Sequence, residues 1–171
     1  ARAKTEGEKA YSNAAGVITD NTGNFLVSSA DGSTHPLNVI NNSWNDIRMG
    51  APMESILSGY SDPRIAKYFE PSVIVPGSYK GIRLGIAIAS KDDYVGFSAL
   101  TNFDKIQLMT AAEVFFLRSE GALRGWNMGG SAKSLYEQGV QTSFSQYNLG
   151  DATAYLGSET PAAPYIDPVA A

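Results

Sequence analysis

The chain has 171 residues, of which 43% are hydrophobic and 11% aromatic, so it is long and apolar enough to form a packed domain rather than a disordered segment. Its formal net charge of −4 offers no basic surface for nucleic acid. It contains no cysteine, which excludes disulfides, cysteine-ligated zinc and a cysteine nucleophile, and no apolar run long enough to span a membrane.

The N-terminal part predicts one helix followed by short extended segments. Residues 1–15 predict a short amphipathic helix that ends near Gly16. Apolar runs between turn residues then predict two β-like pieces, Phe25–Ser28 and Leu37–Ile40, as a hairpin or as two loose strands. Because the opening sequence ARAKTEGEKAYSN is helical in character and shows neither an initiator methionine nor a signal peptide, we expect it to start inside a longer protein.

The middle of the chain predicts two short helices and then a long loop. Pro52 suits the first turn of a helix that Gly59 ends. Asp62 is the expected N-cap of a second helix over residues 64–69. Residues 71–103 have glycine or proline every few positions, which predicts a long irregular loop with short extended pieces.

The C-terminal half predicts two long helices that form a hairpin. The first is expected over residues 104–124, with Asp104 near its start and Gly125 near its C-cap. The second is expected to begin after Gly129 and Gly130 with Ser131 as its N-cap and to continue to about Tyr147. The apolar and small residues of the second helix share one face: Leu135, Gly139, Val140, Ser143, Phe144 and Tyr147. The predicted fold class is therefore mainly α, with tetratricopeptide-like helical hairpins, long irregular loops and at most a small β-hairpin. The Pro/Ala-rich segment 157–171 is expected to be extended.

Two carboxylates on the first long helix, Glu113 and Glu120, allow two interpretations. Seven residues separate them, which places their backbones about 10.5 Å apart on one face. Their side chains could converge to the roughly 6.5–9.5 Å spacing of an inverting glycoside hydrolase. Alternatively, each carboxylate accepts hydrogen bonds from backbone or arginine groups where segments meet. The second interpretation is favoured, because a continuous helix packed against its hairpin partner provides no cleft.

Other catalytic or metal chemistry finds little support in the sequence. His35 is the only histidine and lies in the turn-like segment GSTHPL, and there is no G-x-S-x-G motif for a nucleophilic serine. The spaced carboxylates of a calcium loop and the glycine spacing of a phosphate-binding loop are also missing. Asp62 and Arg64 are expected to secure a helix start. We therefore predict no catalytic residue, no metal site and no cofactor.

An aromatic residue within a polar loop is the best candidate for ligand contact. The stretch NNSWNDIR places Trp44 beside Asn45, Asp46 and Arg48, and Tyr79 lies in the irregular middle segment. Sugar rings pack their C–H faces on indole or phenol rings, while hydroxyls take amide, carboxylate and guanidinium partners. These five residues are the predicted ligand contacts. The alternative is that Trp44 only packs its loop onto the helices.

The segment LMTAAEVFFLRSEGALRGWNMGGSAKSLYEQGVQTSFSQYNLG closely resembles the signature helical pair of SusD/RagB-like proteins. The family pattern is A-E-x-x-F-L-x-x-E-A-x-x-x-G-W followed by Y-x-x-G-[IV]-x-x-S. The matching positions are Ala112, Glu113, Phe116, Leu117, Glu120, Gly125, Trp126, Tyr136, Gly139, Val140 and Ser143. Gly121 departs from the usual alanine, at a cost of about 1 kcal/mol in helix propensity. The segments SDPRIAKYFEP, YKGIRLG and PYIDP are also similar to the family and occur in the expected order.

The resemblance implies a non-catalytic protein that is lipid-anchored on the outer membrane of Gram-negative bacteria. Such proteins capture glycans or other nutrients on irregular loops and act with a TonB-dependent, SusC-like transporter. Because the family is much longer, residues 1–171 would be a single partial domain whose best-matching helical pair is 104–147, and the lipid anchor would lie outside this chain. Two alternatives remain: a secreted helical glycoside hydrolase that uses Glu113 and Glu120, and a helical-repeat adaptor that binds protein partners.

Overall fold

The computed structural model describes residues 2–28, 35–73, 75–94, 96 and 105–157. Over these residues the chain is mainly helical with one two-stranded antiparallel sheet, which confirms the predicted fold class. The helices are α1 Arg2–Tyr11, α2 Pro36–Asn38, α3 Ala51–Gly59, α4 Ile65–Tyr68, α5 Ala111–Leu123, α6 Ala132–Gln146 and α7 Thr153–Leu156, and the strands are β1 Phe25–Ser28 and β2 Lys105–Met109. In this part of the chain, no helix combines the length and hydropathy needed to cross a bilayer.

The chain divides into two compact units. Unit 1 contains residues 1–26 and 107–171, and unit 2 contains residues 27–106. The core of unit 1 has two clusters of buried side chains, formed by Phe115, Met128 and Leu135 and by Val140, Phe144 and Ala152. The core of unit 2 is formed by Met49, Leu57 and Phe69.

Helices α5 and α6 form the predicted hairpin of unit 1. The predicted apolar face of α6 is the packed one, because Leu135, Val140 and Phe144 are each at most 3% exposed. Phe116 of α5 lies directly over Gly139 of α6, where a Cβ would come within 2.6 Å of the Phe116 Cε1 atom. A glycine at this position therefore lets the two helices approach closely.

The starts of both long helices are secured by side-chain caps. Thr110 Oγ1 accepts a hydrogen bond from the Glu113 amide at 3.2 Å, and Ser131 Oγ accepts one from the Ser134 amide at 3.1 Å. The predicted cap at Ser131 is confirmed. After α5, Gly125 adopts a φ of 75°, the left-handed conformation that favours glycine just beyond a helix end.

The predicted start of the first long helix at residue 104 is wrong. Residues Lys105–Met109 form β2, which pairs with β1, and the helix begins only at Ala111. The N-cap at Thr110 separates the two conformations, because a capping residue has extended backbone angles, here φ −110° and ψ 156°. The strand predicted at Phe25–Ser28 is confirmed, but its partner comes from a distant part of the sequence. Asp104 lies outside the described residues.

The second predicted β-like piece, Leu37–Ile40, is also wrong, because this segment is helical. His35 Nδ1 accepts a hydrogen bond from the Leu37 amide at 3.0 Å, and proline occupies the first turn. A π-helical turn, Val39–Ser43, follows directly. His35 therefore caps a helix start in a loop, and its ring nitrogen serves the backbone.

The first helix ends four residues earlier than predicted. Helix α1 stops at Tyr11, and the Asn13 side chain then accepts a hydrogen bond from the Ala15 amide at 2.9 Å. Asparagine forms such local turns in competition with the helical hydrogen bonds, which explains the early end. Gly16 follows with a φ of 76°.

Unit 2 contains the two short helices that the sequence predicts. Helix α3 begins with proline in its first turn and ends at Gly59. Asp62 is 3% exposed and accepts hydrogen bonds from the Arg64 amide and the Arg64 Nε, both at 2.9 Å, so this pair secures the turn before α4. The predicted N-cap at Asp62 is wrong, because the residue whose amide it binds, Arg64, is itself the N-cap, and α4 covers residues 65–68 instead of 64–69. Where residues 71–103 are described, they form no ladder strand, only an isolated parallel bridge between Gly50 and Ile82 and a 3-10 turn at Lys91–Asp93.

Candidate functional site

Trp44 lies at the surface of unit 2, directly after the π-helical turn Val39–Ser43. Its side chain is 60% exposed, so the indole is not a core side chain. Its backbone amide donates to the Val39 carbonyl at 3.2 Å, which closes the turn. The ring is therefore accessible to solvent in this chain.

Asn45 and Asp46 continue this turn and are both exposed. Asn45 has a φ of 54°, in the left-handed region that asparagine adopts more readily than most residues with a side chain. The Asp46 amide donates to the Ile40 carbonyl at 3.1 Å. The turn therefore presents an aromatic face, an amide and a carboxylate next to one another.

We expect Asn45→Ala to lower the free energy of unfolding by about 1.5 kcal/mol, because a Cβ-bearing residue without a local hydrogen bond is strained in the left-handed region. The variant also loses the Asn45 Oδ1 acceptor for Arg48 Nη1, at 3.0 Å. Asn45→Gly removes the same acceptor but has no strain, so it should lose less than half as much. Urea denaturation of both variants checks the difference, and equal losses would show that the left-handed backbone does not matter.

The Arg48 side chain is buried and binds the backbone. Its side chain is only 6% exposed. Nε donates to the Lys91 carbonyl at 2.9 Å, and Nη1 donates to the carbonyls of Asn45 and Ile47, both at 2.8 Å. The guanidinium thus stabilises the loop through buried hydrogen bonds, and little of its surface is exposed for contact with a ligand.

Lys91 also belongs to this group, although the sequence does not predict it. Its Nζ donates to the Trp44 carbonyl at 2.9 Å and to Asp46 Oδ1 at 2.6 Å. It belongs to the 3-10 turn Lys91–Asp93, which begins with a cap in which Ser90 Oγ accepts from the Asp92 amide at 3.1 Å. A serine cap of this kind can be predicted from neighbouring residues. No local sequence feature, however, connects Lys91 with Trp44, which lies 47 residues away.

The fifth predicted contact, Tyr79, lies in a different environment. It is half-buried and packs against the core cluster of Met49, Leu57 and Phe69 in unit 2. The structure thus brings Trp44, Asn45, Asp46 and Arg48 together in one turn, whereas Tyr79 contributes to the hydrophobic core. Its role as a ligand contact stays a prediction.

The two glutamates of α5 have different surroundings. Glu120 accepts hydrogen bonds from Arg124 Nε at 3.0 Å and Nη2 at 2.6 Å, one helical turn away on the exposed surface. Glu113 is exposed in the first turn, where the helix dipole favours a negative charge. Among the residues with described side chains, no three His, Cys, Asp or Glu groups lie close enough to hold a metal ion.

An apolar groove of about 580 Å³ runs along unit 1 between α1 and α5. Glu120 contributes to its wall and Glu113 does not. Its other main polar group, Arg118, donates to the Met128 carbonyl at 3.1 Å and lies 4.8 Å from the ring centre of Tyr11. This groove therefore offers few polar groups to orient a sugar.

Comparison with known proteins gives a consistent assignment. Residues 1–171 match the SusD-like family, described as the SusD and RagB outer membrane lipoproteins. A chitin-binding SusD homologue from Flavobacterium johnsoniae is 48% identical, with a TM-score of 0.87 over 99% of this chain and 36% of its own. A SusD homologue from Bacteroides vulgatus is 38% identical, with a TM-score of 0.85 over 92% of this chain and 33% of its own. One from Bacteroides thetaiotaomicron is 39% identical, with a TM-score of 0.81 over 99% of this chain and 36% of its own.

The chain spans about a third of the length of these solved relatives. No protein with a curated description matches it.

Proposed function

The chain belongs to the SusD-like family of outer membrane lipoproteins, and from this premise we propose that it takes part in capturing glycans or related nutrients at the outer membrane, without chemically altering them. The observation that carries the proposal is the exposed indole of Trp44, which a polar turn places at the surface. Its flat face suits the C–H face of a pyranose, and Asn45 and Asp46 supply hydrogen-bonding groups beside it.

Oligomers of N-acetylglucosamine are the first ligand class to test. The relative from Flavobacterium johnsoniae is described as chitin-binding, and at 48% identity it is similar to this chain over nearly all of its length. An acetamido group also offers one donor and one acceptor, which an exposed amide and carboxylate can both use.

The proposal extends to a larger assembly. Because the solved relatives are about three times as long, we treat the chain as part of a longer protein. The family resemblance supports a TonB-dependent, SusC-like transporter as the membrane partner, to which the captured nutrient is passed. Binding should accordingly be measured on the longer protein, with this chain in place.

Trp44→Ala is expected to weaken binding of chito-oligosaccharides about tenfold, which corresponds to about 1.4 kcal/mol of lost stacking. Isothermal titration calorimetry on the longer protein measures the change. Trp44→Phe should retain part of the affinity because it keeps an aromatic face. Ile56→Ala, which truncates a side chain on α3 that is 52% exposed, is the matched control and should bind normally.

The same samples distinguish the alternatives. Chromatography of the glycan after incubation reports cleavage, and product that disappears in Glu113→Gln would indicate a hydrolase instead. If the longer protein binds no glycan but binds peptides, this result would favour the interpretation as a protein-binding adaptor. Full binding by Trp44→Ala would move the ligand site away from this turn.

A further inference from the structure

Two hydrogen bonds from cationic side chains join the loop of residues 44–48 to the 3-10 turn Lys91–Asp93. Arg48 Nε donates to the Lys91 carbonyl at 2.9 Å, and Lys91 Nζ donates back to the Trp44 carbonyl at 2.9 Å. Each of the two cations thus binds the backbone of the opposite segment. We call these reciprocal contacts the Arg48–Lys91 clamp.

The clamp fixes the backbone of the exposed tryptophan. The Trp44 amide donates to the Val39 carbonyl at 3.2 Å, and the Trp44 carbonyl accepts from Lys91. Both backbone polar groups of this residue are therefore hydrogen-bonded, which restricts its backbone. An exposed residue in a loop without such contacts would sample many backbone conformations.

Arg48 forms the inner half of the clamp. Its side chain is 6% exposed, and three backbone carbonyls accept its hydrogen bonds. The buried guanidinium binds carbonyls of both the turn Lys91–Asp93 and the loop of residues 45–47, so it holds the two together. The backbone of Lys91 is thereby placed where its side chain reaches Trp44. Arg48 cannot be removed cleanly, because the carbonyls it satisfies would be left without a donor.

Lys91 forms the outer half of the clamp, and it is the better residue to substitute in a test. Its side chain is 39% exposed, and its partner Asp46 is 54% exposed. An ion pair at that exposure contributes little to stability. Its effect is geometric, because one ammonium group holds the Trp44 carbonyl and the Asp46 carboxylate at the same time.

We propose that Lys91 is the positioning residue of the Trp44 platform: by joining the Trp44 carbonyl to the Asp46 carboxylate it holds the indole and the carboxylate ready for a glycan. This inference rests on the proposed function. A platform ordered before binding loses less conformational freedom when the ligand arrives, so its affinity is higher than that of a mobile one. Lys91 contributes to affinity without touching the sugar.

The test combines a ligand-independent readout with an affinity measurement. The chain has two tryptophans, so Trp126→Phe leaves Trp44 as the only one in this chain. If the longer protein has others outside the chain, they are replaced as well. Time-resolved fluorescence anisotropy then reports the local motion of Trp44, and calorimetry with chitohexaose reports the affinity of the same protein.

Lys91→Met keeps the length of the side chain but removes the ammonium. We expect it to increase the fast depolarisation of Trp44 at least twofold and to weaken chitohexaose binding about fivefold. Lys91→Arg should restore most of both values, since it keeps a donor on a stem of similar length. Asp93→Asn removes a charge from the same turn without breaking either Lys91 bond or the ion pair between Arg48 and Asp92, and it should change neither value. Circular dichroism checks that each variant is folded.

Unchanged anisotropy in Lys91→Met would overturn the inference. So would increased motion with unchanged affinity, and in that case the proposed function would stand. If the parent protein binds none of the glycans tested, the proposed function fails, and the anisotropy alone decides whether Lys91 holds Trp44. Increased motion would then support the clamp, and unchanged motion would overturn it.

Discussion

Gly81→Ala is expected to lower the free energy of unfolding of unit 2 by about 3 kcal/mol, because overpacking against backbone atoms is difficult to relieve. A Cβ at this position would lie 2.6 Å from both the carbonyl carbon and the oxygen of Gly50, and 2.7 Å from the Ala51 nitrogen. All three atoms belong to the main chain, so no side-chain rotation makes room.

The backbone around Gly50 cannot move without loss of other contacts. The Ala51 amide donates to the Ile82 carbonyl at 2.8 Å, and the Ile82 amide donates to the Met49 carbonyl at 2.7 Å. Met49 itself is 1% exposed and belongs to the core of unit 2. Separating the two segments would therefore weaken both a hydrogen-bonded bridge and the packing beneath it.

Urea denaturation followed by circular dichroism measures the effect of Gly81→Ala. Gly59→Ala is the matched control, because a Cβ at the end of α3 would have no atom within 4 Å. The control should be neutral or slightly stabilising, since alanine restricts the unfolded chain more than glycine does. If the two variants are equally stable, the close approach at Gly81 is not a constraint.

Local signals account for the part of the fold that could be predicted from the sequence. Helix α6 is bounded by a serine cap and carries a continuous apolar face, so its limits at Ala132 and Gln146 nearly coincide with the prediction. The turn at Asp62 and Arg64 is another local motif, in which a carboxylate binds an amide and a guanidinium two residues away. Such features depend on a few neighbouring residues and not on the rest of the chain.

Non-local pairing explains the main errors. The segment Lys105–Met109 precedes a strong helix, and only its pairing with Phe25–Ser28 makes it a strand. At Leu37–Ile40 the apolar residues suggested a strand, yet the cap from His35 starts a helix instead. The physical difference is that strand formation depends on a partner, which a single stretch of sequence does not reveal.

The candidate site shows the same division. Trp44 with its polar neighbours is visible in eight consecutive residues, and the structure places this indole at the surface. Lys91 is separated from it by 47 residues and could be found only in three dimensions. For Tyr79 the local sequence is misleading in the opposite way: it lies in an irregular segment, yet it packs against a hydrophobic core.

Gly121 shows why a departure from the family pattern can be compatible with the fold. A helical glycine costs about 1 kcal/mol relative to alanine. Here a Cβ would lie 2.8 Å from Met128 Cγ and 3.2 Å from Trp126 Cε3. The glycine gives these side chains room to pack over α5, which offsets the poor helix propensity.

Gly139→Ala is expected to lower the free energy of unfolding of unit 1 by about 2 kcal/mol. Alanine should gain about 1 kcal/mol in helix propensity, and overpacking should cost about 3 kcal/mol. The new Cβ would lie 2.6 Å from Cε1 and 2.8 Å from Cδ1 of Phe116. This ring also packs against Tyr136, with centroids 5.9 Å apart, so it cannot turn away freely.

A double variant tests whether this ring is the cause. Phe116→Leu removes the aromatic edge that the alanine would meet, so Gly139→Ala should cost at least 1 kcal/mol less in the Phe116→Leu background than in the parent. Ser145→Ala on the exposed side of α6 is the control, because it gains helix propensity without meeting the hairpin partner. Additive losses from the two single variants would mean that Gly139 is required for another reason. Positive coupling would instead show that the separation of α5 and α6 is set by one ring over one glycine.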